Sequence, residues 1–238
     1  MARNTILVPG EFYHIYNRGT DKRKIFLLRE DYERFLSLLY LSNNTDPVRI
    51  DNIRHLKSQQ GLTLLELALK LQRAQPLVDI GAYCLMPKHF HLIARERVDG
   101  GMSRFMQKLT TAYTMYFNIR HERNGPLFQG TFKATHAKDD QYLSYLLSYI
   151  HLNPIKLIDP TWKDNTIRDQ QQAKAYLERY AYSSYPDYLG KERIHGAIIN
   201  KEALPAYCDF IKDFKQSTLA WLQYEESDGS GVQQIQQG

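Results

Sequence analysis

The distribution of apolar residues along the chain predicts four strands. Residues 11–18 alternate between apolar and polar side chains, which is typical of a strand that buries one face, and residues 131–136 have a similar composition. Residues 78–85 and 90–94 are largely apolar, β-branched or aromatic, and Pro87-Lys88 separates them. We therefore expect two adjacent strands with a short turn between them at this point of the chain.

Apolar side chains at helical spacing predict three long helices. Residues 30–41 carry an aromatic and aliphatic stripe, which indicates a helix packed on the core. Residues 103–122 form the second helix, with Ser103 as its expected N-cap and a buried stripe that ends at Ile119. The third helix covers residues 139–152.

The order of these elements is strand, helix, strand, strand, helix, strand, helix. This order indicates an α+β fold in which helices cover one face of an antiparallel sheet. Shorter helices are expected around residues 62–73 and over residues 206–223. Residues 224–238 are rich in Gly, Ser and Gln, and we expect this tail to be disordered.

Composition narrows the class of protein. The chain has 238 residues and no apolar run close to the roughly 18 residues that a membrane helix needs, and its N-terminus lacks the apolar core of a signal peptide. Cys84 and Cys208 are too few and too far apart for a disulfide framework. A reduced, cytoplasmic setting without membrane association is therefore expected.

Charge is distributed unevenly along the chain. Residues 88–138 contain nine Lys or Arg against three Asp or Glu, whereas residues 201–238 contain three against six. A basic middle suggests a polyanionic partner, although a solvated basic surface would show the same balance. The 17 tyrosines add aromatic side chains, which suit single-stranded nucleic acid when they are interleaved with basic ones.

Candidate chemistry lies at the start of the second of the two adjacent strands. His89 and His91 are separated by a single residue, so on a strand both imidazoles point to the same side, about 7 Å apart. Neutral imidazoles at that spacing can bind one divalent cation. The pair alone is a weak signal, because two histidines in a core would have the same spacing.

A partner for the histidines is found on the predicted helix over residues 139–152. Tyr149 and Asn153 are four residues apart and share one helical face, where a phenol and a carboxamide could act at one metal. Two imidazoles and a carboxamide oxygen leave positions for phosphate and water, which suits Mg²⁺ or Mn²⁺, although histidines equally admit Zn²⁺. Simple aromatic packing is the alternative, because Tyr142 and Tyr145 continue the same stripe.

Several longer motifs add specificity to this interpretation. The chain contains, in this order, YHIYNRG, CLMPKHFHLIAR, SRFMQKLTTAYTMYFN, GPLFQGTFKA, YLSYLLSYIHLNPIK and YSSYPDYLG. Together these segments resemble the HUH single-strand DNA transposases of the insertion-sequence 200 type, and most closely the REP-associated tyrosine transposases. The resemblance covers residues 6–190 apart from 44–77, which it marks as an insertion. It implies a catalytic domain over residues 1–190 and does not cover residues 191–238. A C-terminal helical extension over residues 191–223 is expected from the sequence itself.

The resemblance implies a fold and a role for each candidate residue. The core would be ferredoxin-like (RRM-like), with helices on one face of the sheet and further helical additions. His89 and His91 match the HUH pair, and Asn153 matches the third metal ligand. Tyr149 matches the nucleophile of an endonuclease that cleaves single-stranded DNA beside a hairpin or repeat. A 5′-phosphotyrosine and a free 3′-OH would result, with Mg²⁺ or Mn²⁺ as cofactor and a monomer or homodimer as the active form.

Basic side chains in the first two-thirds of the chain are candidates for contacts with the DNA backbone. They are Arg18, Lys22, Arg23, Lys24, Lys88, Arg104, Lys108, Arg123 and Lys133. Each alone is common on a protein surface, and only the cluster carries weight. The other histidines near the predicted site, His14, His136 and His151, are expected to be structural.

Three other functions are compatible with the same residues. The sheet could be a non-catalytic platform for single-stranded DNA or RNA, or the site could belong to a metal phosphodiesterase that uses water instead of Tyr149. In a purely structural interpretation the histidines are core residues, and no metal dependence is expected. The presence of all four candidate residues favours DNA cleavage and strand transfer, either in transposition or in a domesticated host protein.

Overall fold

Four strands form one antiparallel sheet. The structure, a computed structural model, describes residues 5–46, 61–70, 74–165 and 167–205 together with Gln216 and Trp221. The strands are β1 (Phe12–Arg18), β2 (Val78–Met86), β3 (His89–Glu96) and β4 (Lys133–His136). Their order in the sheet is β2-β3-β1-β4, and every neighbouring pair is antiparallel.

Helices connect the strands and extend the domain beyond the sheet. They are α1 (Arg29–Ser42), α2 (Leu64–Leu69), α3 (Gly101–Arg120), α4 (Asp140–Leu152), α5 (Trp162–Asn165), α6 (Gln170–Arg179) and α7 (Tyr185–Tyr188). The core therefore runs β1-α1-β2-β3-α3-β4 along the chain. This order, with β1 and β3 in the centre of the sheet, confirms the predicted ferredoxin-like α+β fold.

The sheet separates two hydrophobic cores, because alternate side chains of a strand point to opposite faces. Phe90 and Leu92 of β3 pack with side chains of α1 and α3 in the first core, so these two helices cover one face as expected. Ile93 packs on the other face with side chains of α4. The helical additions thus cover the second face, which is the face that carries His89 and His91.

Two details of α3 differ from the prediction. The helix begins at Gly101 with Gly100 as its N-cap at φ 66°, a left-handed conformation that favours glycine, so the prediction of Ser103 as N-cap is wrong. The predicted buried stripe is wrong at its end, because Ile119 is 79% exposed. The buried side chains instead follow rows four residues apart, from Phe105 through Leu109 and Tyr113 to Phe117.

The remaining predicted segments are described only in part. The helix expected around residues 62–73 is α2, which a Thr63–Glu66 capping box begins. The predicted helix over 206–223 and the tail lie outside the described residues, except that Gln216 and Trp221 are helical. The predicted domain boundaries stay a prediction. In the described ranges, no helix has the length and apolar character needed to cross a membrane.

Candidate functional site

His89, His91 and Tyr149 meet on the α4 side of the sheet. In the register of β3, His89 lies opposite Met86 and Arg18 on its neighbours, and the two histidine rings are 4.9 Å apart, on the same face as expected. The ring of Tyr149 approaches His91 edge-on with 5.6 Å between ring centroids. The spacing along β3 and the docking of α4 thus bring a phenol to the histidine pair.

Asn153 completes this group at the end of α4. It begins a short 3-10 helix, Asn153–Leu157, and keeps a helical backbone (φ −54°, ψ −38°) although Pro154 follows. Burial lowers the pKa of His89 and raises that of Tyr149, and the nearby carboxamide of Asn153 partly offsets both shifts. Yet neither its oxygen nor its nitrogen makes a well-aligned hydrogen bond to a described residue, although Asn153 is fully buried.

The donor set at this point suits a divalent cation. Nε2 of His89, Nε2 of His91 and Oδ1 of Asn153 are buried atoms without a hydrogen-bond partner among the described residues. Buried polar atoms are normally satisfied, so three of them in one place make this group a candidate metal site. Across the described ranges, no group of three or more His, Cys, Asp or Glu side chains could hold a metal ion. A metal here therefore needs the carboxamide of Asn153 as its third protein ligand.

His14 is a site residue that the sequence did not identify, since a structural role was expected for it. Its Nε2 lies 2.9 Å from Nδ1 of His91, and both side chains are buried. Its ring stacks on Tyr16 and meets the edge of the Tyr149 ring. His14 and Tyr16 alternate on β1, but only the pairing of β1 with β3 shows that they face the histidine pair.

Lys163 is a second residue that the sequence did not identify. Its Nζ lies 3.9 Å from the centroid of the Tyr149 ring, close enough for a cation–π interaction. Lys163 belongs to α5, a helix of four residues that no pattern of apolar side chains predicted. No local feature could have indicated its position, because it depends on how the chain after α4 returns to the sheet.

Burial controls the protonation of the site. It lowers the pKa of His14 and His89 to about 3 and that of His91 well below its ordinary value, and Lys163 lowers all three further. These imidazoles are therefore neutral near pH 7, the form that binds metals. Burial also raises the pKa of Tyr149, so its phenol is protonated near pH 7.

Six of the nine predicted backbone-contact residues lie at one end of the sheet, near the histidines. Arg18 pairs with His89 in the sheet and Lys133 lies 5.8 Å from the ring of Tyr16. Lys88 is exposed in the turn before His89, and its carbonyl accepts from Gly19 N–H. The segment after Gly19 carries the other three, Lys22, Arg23 and Lys24, and Ile25 N–H bonds Pro87 O across the same turn.

The other three basic candidates do not join this group. Arg104, Lys108 and the nearby Arg123 lie on or just after α3, which covers the opposite face of the sheet. Lys108 donates to the carbonyls of Asn44 and Asp46, and Arg123 donates to Asn118 Oδ1. The contacts of Lys108 and Arg123 stabilise the ends of α1 and α3. The three basic side chains therefore lie on the side of the sheet opposite to the histidines.

One segment of the chain matches a known protein family. Residues 53–153 match the family model described as Transposase IS200 like. The predicted resemblance to IS200-type transposases is confirmed. The IS200-like match includes His89, His91, Tyr149 and Asn153, begins within the predicted insertion, and stops before Lys163.

One solved structure and one negative result complete the comparison. A structure described as a REP-associated tyrosine transposase bound to a REP hairpin is 12% identical to this chain, with a TM-score of 0.45. The similarity covers 82% of this chain and 90% of that one. No curated protein matches the chain.

Proposed function

We propose that this IS200-like protein cleaves and rejoins single-stranded DNA at hairpin or repeat sequences through a 5′-phosphotyrosine intermediate. The observation that carries the proposal is the position of Tyr149, whose ring meets His91 at 5.6 Å while Asn153 lies one helical turn away. A phenol, two neutral imidazoles and a carboxamide in one cluster supply the parts that a phosphoryl transfer to tyrosine requires.

The buried acceptor atoms of His89, His91 and Asn153 fit a divalent cation, Mg²⁺ or Mn²⁺. Bound there, the cation would supply Lewis-acid polarisation of a phosphate oxygen. The protein's own contribution is to keep the imidazoles neutral and oriented. Burial keeps the imidazoles neutral, because a charged imidazole is disfavoured away from water. The hydrogen bond between His14 and His91 orients the ring of His91.

In the proposed reaction Tyr149 Oη attacks the scissile phosphorus. The bond from Oη to phosphorus forms, the bond from phosphorus to the 3′-oxygen breaks, the phenol loses its proton and the 3′-oxygen leaves as a hydroxyl. One phosphodiester replaces another, so the step needs no energy source and reverses on a second strand. Burial of Tyr149 keeps its phenol protonated until substrate binds and excludes water as a competing nucleophile.

The DNA backbone would lie along the end of the sheet that carries Arg18, Lys88, Lys133 and the basic segment of residues 22–24. Lysine and arginine bind phosphate without regard to sequence, so they would align the strand with the site. Tyr149 packs over the histidines of its own chain, which supports a site that is complete in a monomer. A platform function on this face of the sheet is less well supported, because α4 covers it.

The test is a cleavage assay on labelled single-stranded DNA hairpins with Mg²⁺ or Mn²⁺, analysed on a denaturing protein gel. A metal-dependent protein–DNA adduct is expected with the wild type and absent in Tyr149→Phe and His89→Ala. Tyr145→Phe is the matched control, since Tyr145 is buried on the same helix and its ring lies 6.0 Å from that of Tyr149. Cleavage without an adduct would establish a water nucleophile instead, and an adduct that survives Tyr149→Phe would indicate another tyrosine, Tyr145 first.

A further inference from the structure

Lys163 is held against Tyr149 by the aromatic residues around it. Trp162 is 1% exposed and its ring packs 4.8 Å from that of Trp221, which fixes the first turn of α5. Lys163 follows directly, and its Nζ lies 3.9 Å from the Tyr149 ring and 5.8 Å from each tryptophan ring. An ammonium group is thus positioned on the face of the tyrosine that we propose as nucleophile.

Other basic side chains lie at the same end of the sheet as this ammonium group. Arg18 pairs with His89 across β1 and β3, and Nζ of Lys163 lies on the ring of Tyr149. Nζ of Lys133 lies 5.8 Å from the ring of Tyr16, which stacks on His14. Cationic side chains gathered at one end of the sheet favour a negatively charged ligand.

We propose that Lys163 binds the scissile phosphodiester beside Tyr149, an assignment that rests on the proposed function. Lysine has three donors and no acceptor, and it binds phosphate as a compact point charge. A phosphodiester that reaches Tyr149 Oη comes within range of Lys163. There the ammonium group offsets the negative charge that the phosphate oxygens carry in the transition state. The family match ends at residue 153, ten residues before this lysine along the chain.

The test measures binding of a phosphodiester backbone. The chain has two tryptophans, Trp162 and Trp221, and both adjoin Lys163, so intrinsic fluorescence reports on its surroundings. The full-length protein is titrated in EDTA with single-stranded oligothymidylate and with the DNA hairpins of the cleavage assay. A methylphosphonate oligothymidylate, which has the same bases on an uncharged backbone, is the matched ligand.

Lys163→Met is expected to raise the Kd for the phosphodiester ligand roughly tenfold, which corresponds to the loss of one charge-assisted hydrogen bond. The slope of log binding constant against log salt concentration should become shallower by about 0.7, which is the value for one phosphate contact to a single strand. Binding of the methylphosphonate ligand should be the same in both proteins. Lys163→Arg should restore affinity, and Lys174→Met, which changes an exposed lysine on α6, should leave it unaltered.

Two outcomes overturn the assignment. One is a Lys163→Met protein with the affinity and salt slope of the wild type. The other is a loss that Lys163→Arg does not restore, which would mean that Lys163 only packs against the tryptophans. Failure of the proposed function gives a different result, because the wild type would then bind the oligonucleotides but form no adduct with any hairpin.

Discussion

His14 Nε2 lies 2.9 Å from His91 Nδ1, and this contact determines which nitrogen of His91 faces the site. A neutral imidazole has one N–H, so when Nδ1 of His91 donates to His14, its Nε2 keeps a bare lone pair. Either tautomer leaves one buried N–H without a partner among the described residues, at His14 Nδ1 or at His91 Nε2. A cation at Nε2 of His91 would select the first arrangement, in which His14 accepts the hydrogen bond that orients the ring.

Replacement of this partner should weaken metal binding. We expect His14→Phe to lower the affinity of the protein for Mn²⁺ roughly 10- to 100-fold, the usual cost of losing the hydrogen-bond partner of a histidine ligand. Isothermal titration calorimetry with Mn²⁺ measures this directly. His136→Phe is the control, because His136 is 43% exposed and pairs with Glu11 at the edge of the sheet. Equal affinities for His14→Phe and wild type would contradict the role of His14.

The buried histidines should make the protein sensitive to mild acid. Burial lowers the pKa of His14, His89 and His151 to about 3, whereas each titrates near 6.5 in the unfolded chain. Below pH 6.5 the unfolded state therefore binds more protons than the folded state. The free energy of unfolding should fall as pH decreases, by up to about 1.4 kcal/mol per pH unit for each histidine.

Urea unfolding at intervals between pH 7.5 and 5 measures this slope. His151→Gln should reduce the slope by the contribution of one titrating histidine. His151 is a suitable site because its Nε2 bonds Ser184 Oγ and does not contact the proposed metal ligands. A free energy of unfolding that stays constant from pH 7 to pH 5 would rule out the explanation.

Asp79 should stabilise the folded state by connecting the segment around Asn200 to the sheet. Its buried carboxylate accepts hydrogen bonds from Arg95, Arg97 and Asn200. Burial alone would raise the pKa of Asp79, but these bonds outweigh it and the net pKa is lowered. The carboxylate of Asp79 therefore stabilises the folded state at pH values above its unfolded pKa near 3.8. This stabilisation is lost as the pH falls through the lower pKa of the folded state.

We expect Asp79→Asn to lower the free energy of unfolding at pH 7 by roughly 2 kcal/mol, as for the loss of charge-assisted hydrogen bonds to a buried group. Chemical denaturation gives the value. Asp99→Asn changes an exposed carboxylate and should alter stability by less than about 0.5 kcal/mol. If both variants lose the same amount, the network around Asp79 has no special role.

The two groups of basic residues should differ in their effect on DNA binding. Lys133→Ala changes a side chain on the face of the histidines, whereas Arg104→Ala changes one on the opposite side of the sheet. We expect a lower affinity for DNA hairpins and a shallower salt dependence only for Lys133→Ala. Fluorescence anisotropy across a range of salt concentrations measures both quantities. A larger loss of affinity for Arg104→Ala would indicate that DNA binds on the side of the sheet that α3 covers.

Much of the fold and part of the site could be predicted from local spacing. Alternation identified β1, apolar runs on either side of Pro87-Lys88 identified β2 and β3, and the period of two residues put His89 and His91 on one face. Helical spacing put Tyr149 and Asn153 on one turn. These predictions succeeded because side-chain directions follow from backbone geometry over a few residues. The prediction that Ile119 is buried was wrong, because the period of apolar residues does not show where a helix extends beyond the core.

Only the tertiary structure decided which distant residues join the site. His14 and His91 are 77 positions apart and meet because β1 pairs with β3. Lys163 reaches Tyr149 because Trp162 packs against Trp221. Strand order and helix docking are set by burial of apolar surface across the whole domain, which local sequence does not encode. The sequence by itself thus determined the histidine pair and the tyrosine turn, and long-range packing decided which imidazole and which ammonium group surround them.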